Sequence, residues 1–141
     1  MTDKRLSVRE KSLTSLAKTC GWAAKASPVG LESILSGLDI ITNRDVLVGF
    51  DTRDDAGVFR INKDQAIVVT ADFITPPLDD PYIFGQIAAA NSLSDIYAMG
   101  GSPMTCLNLM CLPTNELSSD TIQNIFQGAL SKVEEADAVI I

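Results

Sequence analysis

The chain has 141 residues, 46% of them hydrophobic and 21% charged. That is one domain's worth, with enough apolar material for a core and too much for a disordered chain. With 18 acidic side chains, 11 basic ones and no histidine, it lacks the basic face of a general nucleic-acid binder, the imidazole of a catalytic triad and the usual ligand of a zinc enzyme.

No run approaches the roughly 20 apolar residues of a membrane helix. No apolar segment follows the charged N-terminus, so a secretory signal is not expected. Cys20, Cys106 and Cys111 are odd in number and form no C-x-x-C. That usage suits a reducing cytoplasm, the expected location.

In chain order, residues 1–25 are basic, with Lys4, Arg5, Arg9, Lys11, Lys18 and Lys25 against Asp3 and Glu10. They are read as a mobile arm, polar to residue 19 and closing on a short linker from Cys20 to Lys25. The remaining body is acidic. Ser27 is the expected N-cap of a helix with Pro28 at its first position and a stop near Gly37. Three β-type segments follow: Asp45 to Phe50, Gly57 to Ile61 and Ala66 to Ala71. Asn62 to Gln65 is the turn of a hairpin joining the last two. The prolines of Thr75 to Pro81 make a loop.

Asp80-Pro81 then opens a long helix, Tyr82 to Met99, stopped by Gly100-Gly101. Its small residues predict close packing against another element. Met104 to Leu112 is apolar at nearly every position, as in a buried strand, with Cys106 and Cys111 as core residues. Ser118 caps a last helix whose Ile122, Ile125, Phe126, Ala129, Leu130 and Val133 share one stripe. Ala138 to Ile141 is an apolar strand with no turn signal after it, which suggests a fragment. The order predicts an α+β fold, an α/β sandwich of one sheet and helices. No internal repeat is present.

Four constellations can carry chemistry. Asp54 and Asp55, in the loop Thr52 to Asp55, repel one another unless a cation intervenes; the plain alternative is an exposed polar turn. Asp72 follows an apolar strand, where open sheets place ligands; the alternative is a strand-end cap. Asn91 and Asp95 share one face of the long helix, where a carboxylate is costly unless paired or metal-bound; the alternative is a buried Asp–Asn hydrogen-bond pair holding the helix. Cys20 lies close to Lys25, and a thiol beside a cation is a better nucleophile; the alternative is a free thiol and a solvated lysine. Asp55, Asp72 and Asp95 together make a candidate hard-metal cluster for Mg²⁺. No Walker A motif or G-x-G-x-x-G occurs.

These pieces in order resemble selenophosphate synthetase: Leu13-Thr14, Cys20 to Lys25, Ser27-Pro28, Leu47 to Gly49, Thr52 to Ala56, Thr70 to Phe73, Phe84-Gly85, Ile87 to Ala89, Asn91, Ser94 to Ile96, Ala98 to Gly101 and Pro103. The resemblance implies the N-terminal ATP-binding domain of the aminoimidazole ribonucleotide synthetase superfamily. It implies phosphorylation of selenide by ATP with water, giving selenophosphate, AMP and phosphate. It also implies a homodimer through this domain, several Mg²⁺ ions with ATP, and K⁺ as a further cation. Carried over residue by residue, the metal ligands fall on Asp55, Asp72 and Asp95, and the catalytic residues on Lys25 and Cys20. ATP contacts fall on Lys25, Thr70, Asp72, Asn91 and Asp95.

Two departures stand out. The motif's cysteine sits three residues before the lysine, where this chain has Trp22. Either Cys20 acts from a longer loop or there is no catalytic thiol. The family chain is also more than twice as long, with a second domain that has no counterpart here. Residues 26–141 are therefore expected to be the first domain alone, inactive by itself. Two other readings remain open: a kinase or synthetase of the same superfamily acting on another small substrate, and a non-catalytic dimerisation module.

Overall fold

Turn and cap chemistry set the elements of the computed structural model, which describes residues 11–21, 23, 25, 28–39, 43–113 and 115–141. The expected Ser27 cap, Trp22 and the first ten residues of the arm lie outside the described residues. Helix α1 runs Pro28–Leu35. Strands β1 (Val46–Val48), β2 (Gly57–Arg60) and β3 (Ala66–Val69) form an antiparallel sheet in that order. Asn62 builds the β2–β3 turn: its Oδ1 accepts the Asp64 amide at 2.9 Å and its amide donates to Gln65 Oε1 at 2.8 Å. The register pairs Val58 with Val68. Both are half-buried, while Phe59, Ile67 and Val69 are exposed.

Helix α2 spans Pro81–Ala98. Asp80 caps it by accepting the Ile83 amide at 2.9 Å, and Pro81 has no amide proton to leave orphaned. Its end is a Schellman motif: Gly101 donates to Ile96 O and Gly100 to Tyr97 O, both at 2.9 Å, with Gly100 at φ 72°. Gly100-Gly101 is thus a helix stop. Helix α3 spans Ser119–Glu135, capped by Ser118 on the Thr121 amide at 3.1 Å. It ends in the same motif, with Asp137 in the left-handed position at φ 55°.

The two helices cross where glycines remove both side chains. A Cβ on Gly85 would meet Ile125 O at 2.0 Å, and one on Gly128 would meet Tyr82 O at 1.9 Å. The close packing expected of α2 is therefore met by a second glycine on α3. Beside the crossing, Leu13, Leu117 and Ile125 form the core, with Leu16, Phe84, Met110, Leu112 and Ile122 against them.

Three expectations need correction. The strands divide into two sheets, because β4 (Thr105–Cys106) and β5 (Val139–Ile140) pair in parallel on their own, joined by α3. Met104 to Leu112 is not a buried strand: only two of its residues pair, and Met104, Leu107 and Leu109 are 77%, 71% and 62% exposed. An all-apolar run needs cover on both faces, and here Cys106, Met110 and Leu112 turn inward while their neighbours meet solvent. Cys111 is exposed too; Cys106 is half-buried, and that burial pushes its thiol pKa up. The arm, finally, is not free from Leu13 onward. Leu13–Leu16 is a 3-10 turn whose Leu13 is only 3% exposed, because the core takes up its side chain. Among the described residues no helix is long and apolar enough to cross a membrane.

Candidate functional site

The site is built on the extended segment after β3, which runs alongside α2. On an extended chain, residues two apart share a face and lie about 6.6 Å apart. On a helix, residues four apart share a face at about 6 Å. Thr70 and Asp72 therefore match Asp95 and Asn91 in spacing, and two rungs join them. Thr70 Oγ1 donates to Asp95 Oδ2 at 2.8 Å, and Asn91 Nδ2 donates to Asp72 Oδ2. Asn91 and Asp95 thus serve the neighbouring segment rather than each other. All four residues are partly buried.

Asp72 has a second partner. Lys25 Nζ donates to its Oδ1, so the carboxylate is held between an ammonium and an amide. The Asp72 side chain is 16% exposed and that of Lys25 42%. Partial burial strengthens this pair over a surface ion pair, and the lysine stem stays free to turn.

The arm reaches Lys25 through a clasp on the proline loop. At one end, Asp79 Oδ1 accepts the Thr14 amide at 2.9 Å and the Thr14 hydroxyl at 2.7 Å. At the other, Gly21 forms an antiparallel bridge with Thr75 and donates to its carbonyl at 3.1 Å. Thr75 Oγ1 also donates to Thr19 O at 2.6 Å. Gly21 is at φ 52°, a backbone geometry that suits glycine.

The hydroxyl and amide of Thr14 hold the Asp79 carboxyl below the usual aspartate range. A lowered native pKa means the anchor is complete above that range and is lost as pH falls through the lowered value. Protection of the Thr14 amide is therefore expected to survive acidification past ordinary aspartates and to collapse below them. Asp79→Ala should abolish it at every pH. Hydrogen exchange across a pH series measures both; equal protection in the variant contradicts the anchor.

Lys25, Asp72, Asn91 and Asn108 line a cavity of about 490 Å³ whose walls include Leu13, Phe84 and Met110. Asp55 lies elsewhere in the exposed loop, beside Arg53 at φ 60°. Arg53 Nη2 contacts Glu32 Oε1 of α1 at 2.5 Å. Among the described residues no three acidic or cysteine side chains gather to hold a metal ion. Cys20 is exposed, with its Sγ 4.0 Å from Pro77 O. The structure thus brings Lys25, Asp72, Asn91, Thr70 and Asp95 into one strip and leaves Asp55 outside it. Sequence reasoning missed Thr75 and Asp79. The only signal was the doubled Asp79-Asp80, of which a single residue can cap α2.

The family described as AIR synthase related protein, N-terminal domain, matches residues 53–141. A selenide, water dikinase of Clostridium botulinum (strain Eklund 17B / Type B) is 49% identical over 132 residues, covering 94% of this chain and 38% of that protein. One from Desulfitobacterium hafniense (strain Y51) is 52% identical over 130 residues, covering 92% and 38%. One from Geobacter metallireducens is 51% identical over 130 residues, again 92% and 38%. The chain therefore spans little more than a third of the length of these curated relatives. The match runs from the Thr52–Asp55 loop through both helices to the last strand, and the chain belongs to the AIR synthase related family as its N-terminal domain.

Proposed function

We propose that this chain is the nucleotide-handling part of an enzyme that phosphorylates selenide with ATP and water, releasing selenophosphate, AMP and phosphate. The observation that carries the reading is Lys25 held on Asp72 beside Asn91, in a chain about half identical to selenide, water dikinases.

The chemistry follows from charge. A triphosphate is repelled by Asp72 and Asp95 unless cations screen it. Mg²⁺ is commonly held by one or two carboxylates plus substrate phosphates, without an all-protein cage. The donor set fits that habit: Asp72 and Asp95 on one strip would hold the ion with the substrate phosphates, and Asp55, which lies outside the strip, would join them only if its loop moves in. When bound, Mg²⁺ would neutralise charge on the transferred phosphoryl group.

The chain's own residues do the rest. Asn91 fixes one Asp72 oxygen and Thr70 fixes one of Asp95, so neither carboxylate swings. Lys25 brings a cation on a flexible stem that can pass from Asp72 to a phosphate oxygen as substrate arrives. Leu13 and Phe84 wall the adjoining cavity with apolar surface, which limits water near the reacting groups. Cys20 is placed on the same arm and is proposed to meet selenide there.

Phosphorus NMR of the products formed by the full-length gene product tests this reading. AMP and selenophosphate should appear only when ATP and selenide are both present. ADP as the sole nucleotide product, or AMP independent of selenide, overturns it in favour of another substrate.

A further inference from the structure

We infer that Thr75, which lies outside the Lys25–Asp72 contact, is the positioning residue that sets Lys25 opposite Asp72. This rests on the phosphoryl-transfer reading above for its catalytic half alone.

The argument is one of register. Gly21 and Thr75 form an antiparallel bridge. In such a pair, moving forward on one chain means moving backward on the other. Lys25 is four residues after Gly21, and Asp72 is three residues before Thr75. Both offsets run to the same side of the bridge, so the pairing at Gly21–Thr75 decides which residue meets Asp72. Past the bridge the arm turns, with the Ala23 amide donating to Cys20 O at 3.1 Å, so a shift of the pairing would move the lysine off Asp72.

The bridge itself is a single pair and needs a lock. The Thr75 hydroxyl supplies it, donating to Thr19 O at 2.6 Å and lying 3.4 Å from Gly21 O. Its single proton goes to Thr19 O, so the hydroxyl fastens the arm just before Cys20, while the backbone bridge at Gly21 fastens it just after. Its own Oγ1 is committed to the arm backbone, so it acts on the reaction through Lys25.

The test compares Thr75→Val, which keeps the shape and removes the hydroxyl, with Thr75→Ser, which keeps the hydroxyl, in the full-length gene product. Limited trypsin digestion reads the arm directly, because Lys18 is exposed and borders the clasp. Thr75→Val is expected to be cut after Lys18 about fivefold faster, with cleavage after Lys132 on α3 unchanged. Its kcat for selenide-dependent AMP release should fall about tenfold with KM for ATP little altered. Thr75→Ser should match the unaltered protein in both.

Cleavage of Thr75→Val at the unaltered rate overturns the clasp. Faster cleavage with unchanged kcat overturns the positioning role. If the unaltered protein releases no selenide-dependent AMP, the functional reading fails and the catalytic half falls with it. The cleavage comparison still decides whether Thr75 locks the register.

Discussion

An Asp72→Asn protein of full length is expected to lose at least about 100-fold in selenide-dependent AMP release while remaining folded. Asparagine keeps the shape but turns an acceptor-only carboxylate into a group with one acceptor and one donor. Lys25 then faces no charge, and the Asn91 amide competes for the remaining oxygen. The fold should tolerate this, because the Lys25 side chain is 42% exposed and water can solvate its ammonium once the partner is neutral. Thermal unfolding should therefore move by a few degrees at most. Lys25→Ala should lose a similar factor, and the double variant should lose little more, since the two groups act as one unit. Full AMP release by Asp72→Asn would remove this pair from the proposed chemistry.

Gly128→Ala, with Gly85→Ala, is expected to be the most damaging added methyl among the glycines described. The added carbon would sit 1.9 Å from Tyr82 O and 2.8 Å from its carbonyl carbon. Those are backbone atoms of a helix and cannot turn away. The helices must separate along their whole contact, loosening the neighbouring buried Ile125, Ala129 and Val133. Overpacking of this kind costs about 1–3 kcal/mol or more, against a helix-propensity gain of about 1 kcal/mol for replacing glycine. The steric term wins here, because the clash is with main chain on both sides: Gly85 meets Ile125 O in the same way. Gly37→Ala is the control, as nothing lies within 4 Å of a Cβ there. Urea unfolding should show a large fall in midpoint for Gly128→Ala and almost none for Gly37→Ala. Similar midpoints for the two would contradict the packing described for α2 and α3.

Local chemistry made most elements legible. Asp80-Pro81, Gly100-Gly101 and Ser118 mark helix ends through groups that act within four residues of themselves, and each does so in the structure. Asn62 works equally locally, so the hairpin was readable. Met104 to Leu112 misled because an apolar run records what a strand needs on each face, and says nothing of whether that cover is present. Leu13 was missed for the opposite reason. It is one apolar residue among charges, with no period, and only the core in which Leu117 and Ile125 sit reveals its use. Gly128 carries no signature either, since a small residue in an amphipathic stripe reads like any other.

The candidate site divides the same way. Spacing put Asn91 and Asp95 on one face of the helix, but their partners Asp72 and Thr70 come from a segment whose contact with α2 only the structure shows. The link from Lys25 to Asp72 could not be read that way. It depends on a bridge between residues 21 and 75, and no local rule joins segments so far apart.

The exposed apolar side chains have a consequence for handling the protein. Phe59, Ile67, Val69, Met104, Leu107 and Leu109 all meet water, so each molecule presents adhesive surface to its neighbours. The net charge of −7 at neutral pH is then the chain's chief colloidal defence, acting between molecules where burial does not act within one. Titrating the carboxylates, or screening them with concentrated salt, removes that repulsion and leaves the apolar surface exposed. Solutions of this chain are best kept well above its isoelectric point.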